Sequence, residues 1–146
     1  MTGKSQRVAA RPLLARRHWG TIAEAGVALA AASVLTRLLP FHRYIGLGAR
    51  SLQARAGAEP RDTARIMDAI ARRVPFRAVC LQKGLALQWM LRRRGVNAVL
   101  HYGIQLKKTG EELEAHVWVS ADGKVLLGAP LHERYTEVAR YPKQRA

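Results

Sequence analysis

Cys80 and His116 are the two residues of this chain whose types and setting could do nucleophilic chemistry. Cys80 is the only cysteine among 146 residues, and it lies near the start of a helix predicted over residues 78–95. Backbone N–H groups at a helix start favour an anion, so this position favours the thiolate form of Cys80. The same N–H groups, with Gln82 as a candidate amide donor, would bind the oxyanion of an attacked carbonyl. The alternative is a small buried apolar residue, which is the commoner role of a lone thiol.

His116 is the candidate base for that thiol. In the predicted strand over residues 113–120, period-two geometry puts His116, Trp118 and Ser120 on one face and two valines on the other. A histidine on a sheet that packs on the cysteine helix can take the thiol proton, and its imidazolium can then protonate a leaving amine. His101 on the preceding strand is a rival base. We rank it lower because its sequence neighbours give it no tryptophan partner.

A catalytic histidine usually needs a third group that fixes its tautomer, and the sequence leaves this group unassigned. A two-residue turn at residues 122–123 would place Gly128 opposite Val117 and Ala129 opposite His116, and neither residue has a side chain that could orient a ring. Asp122 lies at the turn, about 20 Å of strand away. Glu133 reaches His116 only if the following loop folds back.

The cysteine helix is predicted to be the central helix of the fold. Its apolar residues point in so many directions that Gln82, Lys83 and Gln88 form no polar stripe, which is typical of a helix buried on most sides. Three arginines at residues 92–94 suit the negative end of the helix dipole. A glycine follows them, as is common where a helix ends.

The chain is predicted to form one domain behind a basic arm. Residues 1–18 are basic with few apolar side chains, which favours a flexible arm. The domain covers residues 19–146, with a helical part over 19–95 and a sheet part over 96–135. Between Phe41 and about Gly57, and between Pro60 and Val74, apolar residues recur at helical spacing. Predicted strands follow at residues 97–106, 113–120 and 124–127. Helices first and an antiparallel sheet afterwards predict an α+β fold.

Residues 21–39 are the most apolar stretch of the chain. A basic lead and an alanine-rich apolar run resemble a signal peptide, and the length approaches that of a membrane span. Glu24 and Arg37 interrupt the run, which favours a buried or membrane-touching helix instead. A single cysteine excludes an internal disulfide and gives no argument for an oxidising compartment. We therefore expect a cytoplasmic protein, with residues 21–39 as its candidate membrane contact.

The net charge of +15 predicts an acidic partner or surface, and the charge is uneven. Residues 1–55 contain nine lysines and arginines and one acidic residue, Glu24, whereas residues 96–146 are nearly neutral. Aromatic residues are not interleaved with the basic ones, so we do not expect nucleic acid as the partner.

The combination of these segments resembles a known family. Together they resemble the transglutaminase-like cysteine peptidases of lasso-peptide biosynthesis, the leader peptidase domain of the B protein. The resemblance rests on the cysteine helix over residues 80–96, the segment 100–104, and the strand around His116 with the Asp-Gly turn that follows it. The resemblance covers roughly residues 65–135 and is that of the stand-alone form. It implies a transglutaminase/papain-like core, with Cys80 as the nucleophile and His116 as its base.

The resemblance also implies partners and shows two departures. The substrate would be the leader peptide of a ribosomal precursor, with a small leader-binding protein and an ATP-dependent lasso cyclase as partners, and without a cofactor or metal. Gly84 stands where many relatives have serine, and Gly128 where they have aspartate. Two other functions stay open: transglutaminase-like acyl transfer to an amine, and a non-catalytic basic adaptor for nucleic acid or anionic membrane.

Overall fold

Helices make up the first half of the fold, as the apolar periodicity predicts. The computed structural model describes residues 18–47, 59–76 and 79–143. Pro60, which lacks a backbone N–H, occupies the first turn of its helix, where that donor would have no partner. The helices of the described residues are α1 (Trp19–Leu38), the single turn α2 (Phe41–Tyr44), α3 (Pro60–Ala71) and α4 (Cys80–Arg93).

The helix α4 lies at the centre of this layer. Its residues 84–88 and 90–92 are buried. They include Gln88, whose Nε2 donates to the backbone oxygen of Tyr141 at 2.7 Å. The charged end of α4 is joined to α1, since Arg94 donates to Glu24 at 2.6 Å. The continuous apolar character of the segment therefore does correspond to a helix packed on most sides.

Four antiparallel strands form a sheet in the order β3-β2-β1-β4. They are β1 (Ala98–Leu106), β2 (Leu113–Ala121), β3 (Lys124–Leu127) and β4 (Thr136–Tyr141). The long hairpin of β1 and β2 pairs Gly103 with His116. The strand β4 was not predicted, because the sheet part was expected to end at residue 135. Its alternating half-buried pattern is that of an edge strand.

The helix layer and the sheet meet at Gly84. A Cβ atom there would lie 2.7 Å from Val117 Cγ1 and 2.8 Å from Leu100 Cδ1, so α4 approaches the sheet at nearly backbone distance. Val119 contributes to the same face. The prediction of an α+β fold with a helical N-terminal half is confirmed, with α4 on one face of the sheet.

Some predicted boundaries differ from the structure. The helix predicted from Phe41 to about Gly57 is described only in its first turn, α2, because residues 48–58 lie outside the described residues. The predicted arm lies outside them too, except for His18. The helix α3 ends at Ala71, before Val74, although Val74 still packs against the core.

Candidate active site

The start of α4 is held in place by Gln82. Its Oε1 accepts a hydrogen bond from the backbone N–H of Val79 at 3.1 Å, which closes the helix end. Its Nε2 donates to Thr36 Oγ1 at 3.1 Å and joins this turn to α1. Cys80, the first residue of α4, is half-buried beside the anchored turn. Because both ends of the Gln82 amide are engaged, the backbone N–H groups of the first turn are the better oxyanion donors.

The imidazole of His116 is fixed by a backbone oxygen. Its Nε2 lies 3.0 Å from the carbonyl oxygen of Gly128. A carbonyl oxygen only accepts hydrogen bonds, so Nε2 carries the proton, and Nδ1 of the neutral ring is left unprotonated. His116 is thus held in the tautomer that a base acting through Nδ1 requires.

Gly128 supplies the orienting group that no side chain could be assigned to. The register between β2 and β3 shifts at Val119, which pairs with Leu127, so the count that assumed a regular hairpin was wrong. Gly128 has a φ of +95°, and a Cβ atom there would lie 2.6 Å from Trp118 Cβ. Only glycine fits this backbone position, and its carbonyl points at His116. The weak candidates Asp122 and Glu133 are both exposed.

His116 lies on the sheet face that points away from α4. Val117 and Val119 contact the Gly84 position, and the alternation of a strand turns His116 and Trp118 to the other side. The sequence predicted that this sheet packs on the cysteine helix without assigning the face, and the structure shows that the valine face makes the contact. Cys80 and His116 can therefore approach each other only around an edge of the sheet.

A cleft of about 350 Å³ opens at that edge. The strand β3 pairs only with residues 119–121, so no strand is paired to β2 at His116, although Gly128 keeps this side chain largely buried. Lys83 also lines the cleft, and it lies three residues after Cys80, which puts the two side chains on neighbouring positions of one helix face. The cleft therefore joins His116 to the first turn of α4. Its lining residues are Ala64, Arg65, Asp68, Lys83, His116, Leu126, Leu127, Gly128, Ala129 and Leu131.

Tyr135 is a second link between the two candidate residues. Its ring centroid lies 4.9 Å from that of His116. Burial raises the pKa of Tyr135, the Glu114 carboxylate raises it further, and a Cys80 thiolate acts in the same direction. The tyrosine is thus in ring contact with His116 and within electrostatic range of Cys80. No sequence pattern predicts the role of Tyr135, because this residue directly precedes β4, the strand that was not predicted.

No direct contact joins Cys80 and His116 in the described residues: the cleft beside His116 is lined by Lys83 rather than Cys80, and Tyr135 is related to both. Among the hydrogen bonds of residues 18–47, 59–76 and 79–143, none connects Cys80 Sγ to His116. The assignment of Cys80 as nucleophile and His116 as base stays a prediction, with Nδ1 of His116 as the nitrogen that would take the proton.

His101 is held in a hydrogen-bond network of its own, with Ser120 and Glu137. Its Nε2 lies 2.7 Å from Ser120 Oγ and its Nδ1 lies 3.1 Å from Glu137 Oε2, so both ring nitrogens are engaged. Burial lowers the pKa of His101, and Glu137 opposes that shift. Contrary to our expectation, His101 does have a tryptophan partner, since it stacks on Trp118 with ring centroids 5.3 Å apart. Among the described residues, no three His, Cys, Asp or Glu side chains are grouped to hold a metal ion.

A family model described as the transglutaminase-like superfamily matches residues 25–140. The chain belongs to the transglutaminase-like superfamily. The match runs from α1 into β4 and includes both Cys80 and His116, and it indicates cysteine-peptidase or acyltransferase chemistry. No curated protein and no solved structure matches the chain.

Proposed function

We propose that this chain is a cysteine peptidase that removes the leader peptide from a ribosomally synthesised lasso-peptide precursor. The observation that carries the proposal is the imidazole of His116, held through Nε2 by Gly128 in a cleft that reaches the first turn of α4. Superfamily membership supports cysteine chemistry, and the resemblance of the Cys80 and His116 segments supports the substrate class.

The reaction follows from the roles of these groups. Nδ1 of His116 takes the thiol proton, and the Cys80 sulfur forms a bond to the carbonyl carbon of the leader–core amide. The backbone N–H groups at the start of α4 bind the oxyanion. The carbon–nitrogen bond then breaks as the imidazolium gives its proton to the leaving amine. A water molecule deprotonated by the same imidazole hydrolyses the thioester and frees the thiol.

The walls of the cleft suit a peptide with both apolar and acidic side chains. Leu126, Leu127 and Leu131 supply apolar surface, and Arg65 supplies positive charge. Lys83 lines the same wall but is paired with Asp68 at 3.3 Å. A volume of about 350 Å³ is at the lower end of the range for ligand pockets, enough for a few residues of an extended chain. The charge of the whole chain adds long-range attraction for an acidic leader or an acidic leader-binding protein.

The partners in this proposal are a small protein that binds the leader and an ATP-dependent lasso cyclase, and the setting is the cytoplasm. These come from the resemblance alone. The direct check is the set of genes beside this one, where we expect a short precursor, a small leader-binding protein and a cyclase.

The decisive experiment uses Cys80→Ser with the precursor and the leader-binding protein, and mass spectrometry of the products. We expect C80S and H116Q to lose cleavage while they keep precursor binding and a native circular dichroism spectrum. His42→Gln, which changes an exposed histidine of α2, is the control and should cleave normally. Cleavage by C80S at the wild-type rate would end the peptidase proposal.

Acyl transfer is the second candidate, because the superfamily match indicates that chemistry equally well. In this case an amine replaces water in the attack on the thioester at Cys80. Adding glycine amide to the reaction separates the two functions. A peptidase yields the free leader acid as its main product, whereas an acyltransferase yields the leader joined to the amine.

A further inference from the structure

The exposed face of α1 is apolar along its whole length. We call the exposed apolar residues of this helix the outer face, and they are Trp19, Gly20, Ala23, Val27, Ala31, Val34 and Leu38. From Gly20 onward they recur every three or four residues, so they form one continuous stripe. The only other exposed residue of α1 is Arg37, in its last turn.

The opposite face of α1 packs into the core and contains apolar and hydroxyl side chains. Two hydroxyl side chains, Thr21 and Ser33, are buried, and Ser33 satisfies its donor on the backbone oxygen of Leu29 at 2.8 Å. Both faces of the helix therefore carry apolar side chains, and the outer face has no polar group before Arg37. In the same molecule, α3 exposes Arg61 and Arg65 instead, as a water-facing helix does.

The charges around α1 identify the kind of surface that would cover this face. Residues 1–17 contain five lysines and arginines and no acidic residue, and they join the helix at its exposed tryptophan. The one acidic residue of α1, Glu24, is neutralised by Arg93 and Arg94. An apolar stripe with a tryptophan at one end and positive charge at both ends fits the boundary between the headgroups and acyl chains of an anionic bilayer.

The packing of α1 decides between lying on a membrane and crossing it. Among the described residues, α1 is the one helix long and apolar enough to span a bilayer. However, Ala25, Leu29 and Ala32 are fully buried in the core that α1 shares with α3 and α4. Crossing the bilayer would remove these residues from the domain, whereas lying on the bilayer uses only the outer face.

We propose that the outer face of α1 docks the folded domain onto an anionic membrane surface, with the helix parallel to the bilayer. This inference does not depend on the proposed peptidase function. It assigns the excess positive charge of the N-terminal half to lipid headgroups.

The test is co-sedimentation of the full chain with phosphatidylcholine vesicles that contain about one-third phosphatidylglycerol. We expect the wild-type chain to bind, and the double variant V27D/V34D to bind at least about tenfold more weakly. The matched control is L106D/L113D, which makes the same charge change at residues that are 64% and 66% exposed on the sheet, compared with 71% and 52% for the two valines. We expect the control to change binding less than about threefold, through its charge alone.

Two further measurements protect the test from misfolded variants. Vesicles with brominated acyl chains should quench the fluorescence of the wild-type chain, and W19F should lose that quenching. Sedimentation velocity without lipid should give a monomer. The proposal would be overturned if V27D/V34D bound as well as the control, or if the wild-type chain were not quenched. A dimer that V27D/V34D dissociates would also overturn it, by showing that the outer face binds a second copy.

Discussion

Gly128→Ala is the sharpest test of how His116 is held. A Cβ atom at residue 128 would lie 2.6 Å from Trp118 Cβ, 3.0 Å from Trp118 Cα and 3.1 Å from His116 Nε2. The backbone of a central strand cannot move away cheaply, and such overpacking typically costs about 1–3 kcal/mol. The positive φ adds about 1–2 kcal/mol of strain for a residue with a Cβ. We therefore expect G128A to lose about 2–5 kcal/mol of unfolding free energy.

Gly123→Ala is the matched control for this variant. Gly123 has a φ of +74° and nothing within 4 Å of its Cβ position, so the substitution costs only the backbone strain of about 1–2 kcal/mol. Urea unfolding of both variants should show the difference.

The catalytic consequence can be measured without a substrate. The hydrogen bond from His116 Nε2 to Gly128 is worth about 1 kcal/mol, or roughly fivefold in the population of the correct tautomer. Because Cys80 is the only thiol, its alkylation by iodoacetamide at pH 7, followed by mass spectrometry, reports on this site alone. We expect G128A to react about fivefold more slowly, H116Q to react more slowly still, and G123A to react like the wild type. A slow H116Q with a normal G128A would show that the carbonyl does not orient the ring.

Two other predictions concern the stability of the fold. Gly84→Ala gains about 1 kcal/mol of helix propensity but places a methyl group 2.7 Å from Val117 Cγ1, which costs about 1–3 kcal/mol, so it should be neutral or destabilising. Gly26→Ala in α1 meets nothing within 4 Å and should stabilise the fold by about 1 kcal/mol. Equal effects of G84A and G26A on the free energy of unfolding in urea would contradict this packing argument. Burial lowers the pKa of His101 below that of the unfolded chain, so the unfolded state binds more protons and stability should fall as the pH drops below about 6.5. H101Q should flatten this dependence between about pH 7.5 and 5.5, and a slope unchanged by H101Q would refute the assignment.

The sequence was sufficient for the parts of the site that depend on local patterns. The helix start at Cys80 follows from an apolar run with a buried pattern, and the face shared by His116 and Trp118 follows from strand alternation. The hairpin of β1 and β2 follows from its β-rich segments. These features need only residues close together in the chain.

The parts that were missed depend on backbone atoms or on distant pairing. The group that orients His116 was expected to be a side chain, whereas the ring contacts the carbonyl oxygen of Gly128. The register shift beside Val119 that brings Gly128 there has no signal in the sequence. The contact between Tyr135 and His116 requires β4 to pair with β1. The sequence shows that residues 21–39 are apolar, but only the packing of α1 shows which side chains of this helix are left exposed.

Gly128 links the ending of β3 to the chemistry of the cleft. Its positive φ turns the chain away from β2 just after Leu127, which leaves the β2 edge at His116 open as a cleft. The same turn aims its carbonyl oxygen at His116 Nε2. The family that the sequence resembles has an aspartate at this position. Here an aspartate would need a different φ and a displaced Trp118, so the single substitution Gly128→Asp would not place a carboxylate beside His116. The glycine therefore belongs to an alternative solution of the same requirement, in which a neutral backbone acceptor fixes the imidazole. A neutral acceptor stabilises an imidazolium less than a carboxylate does, so the proposed peptidase should be slower than one in which a carboxylate orients the histidine.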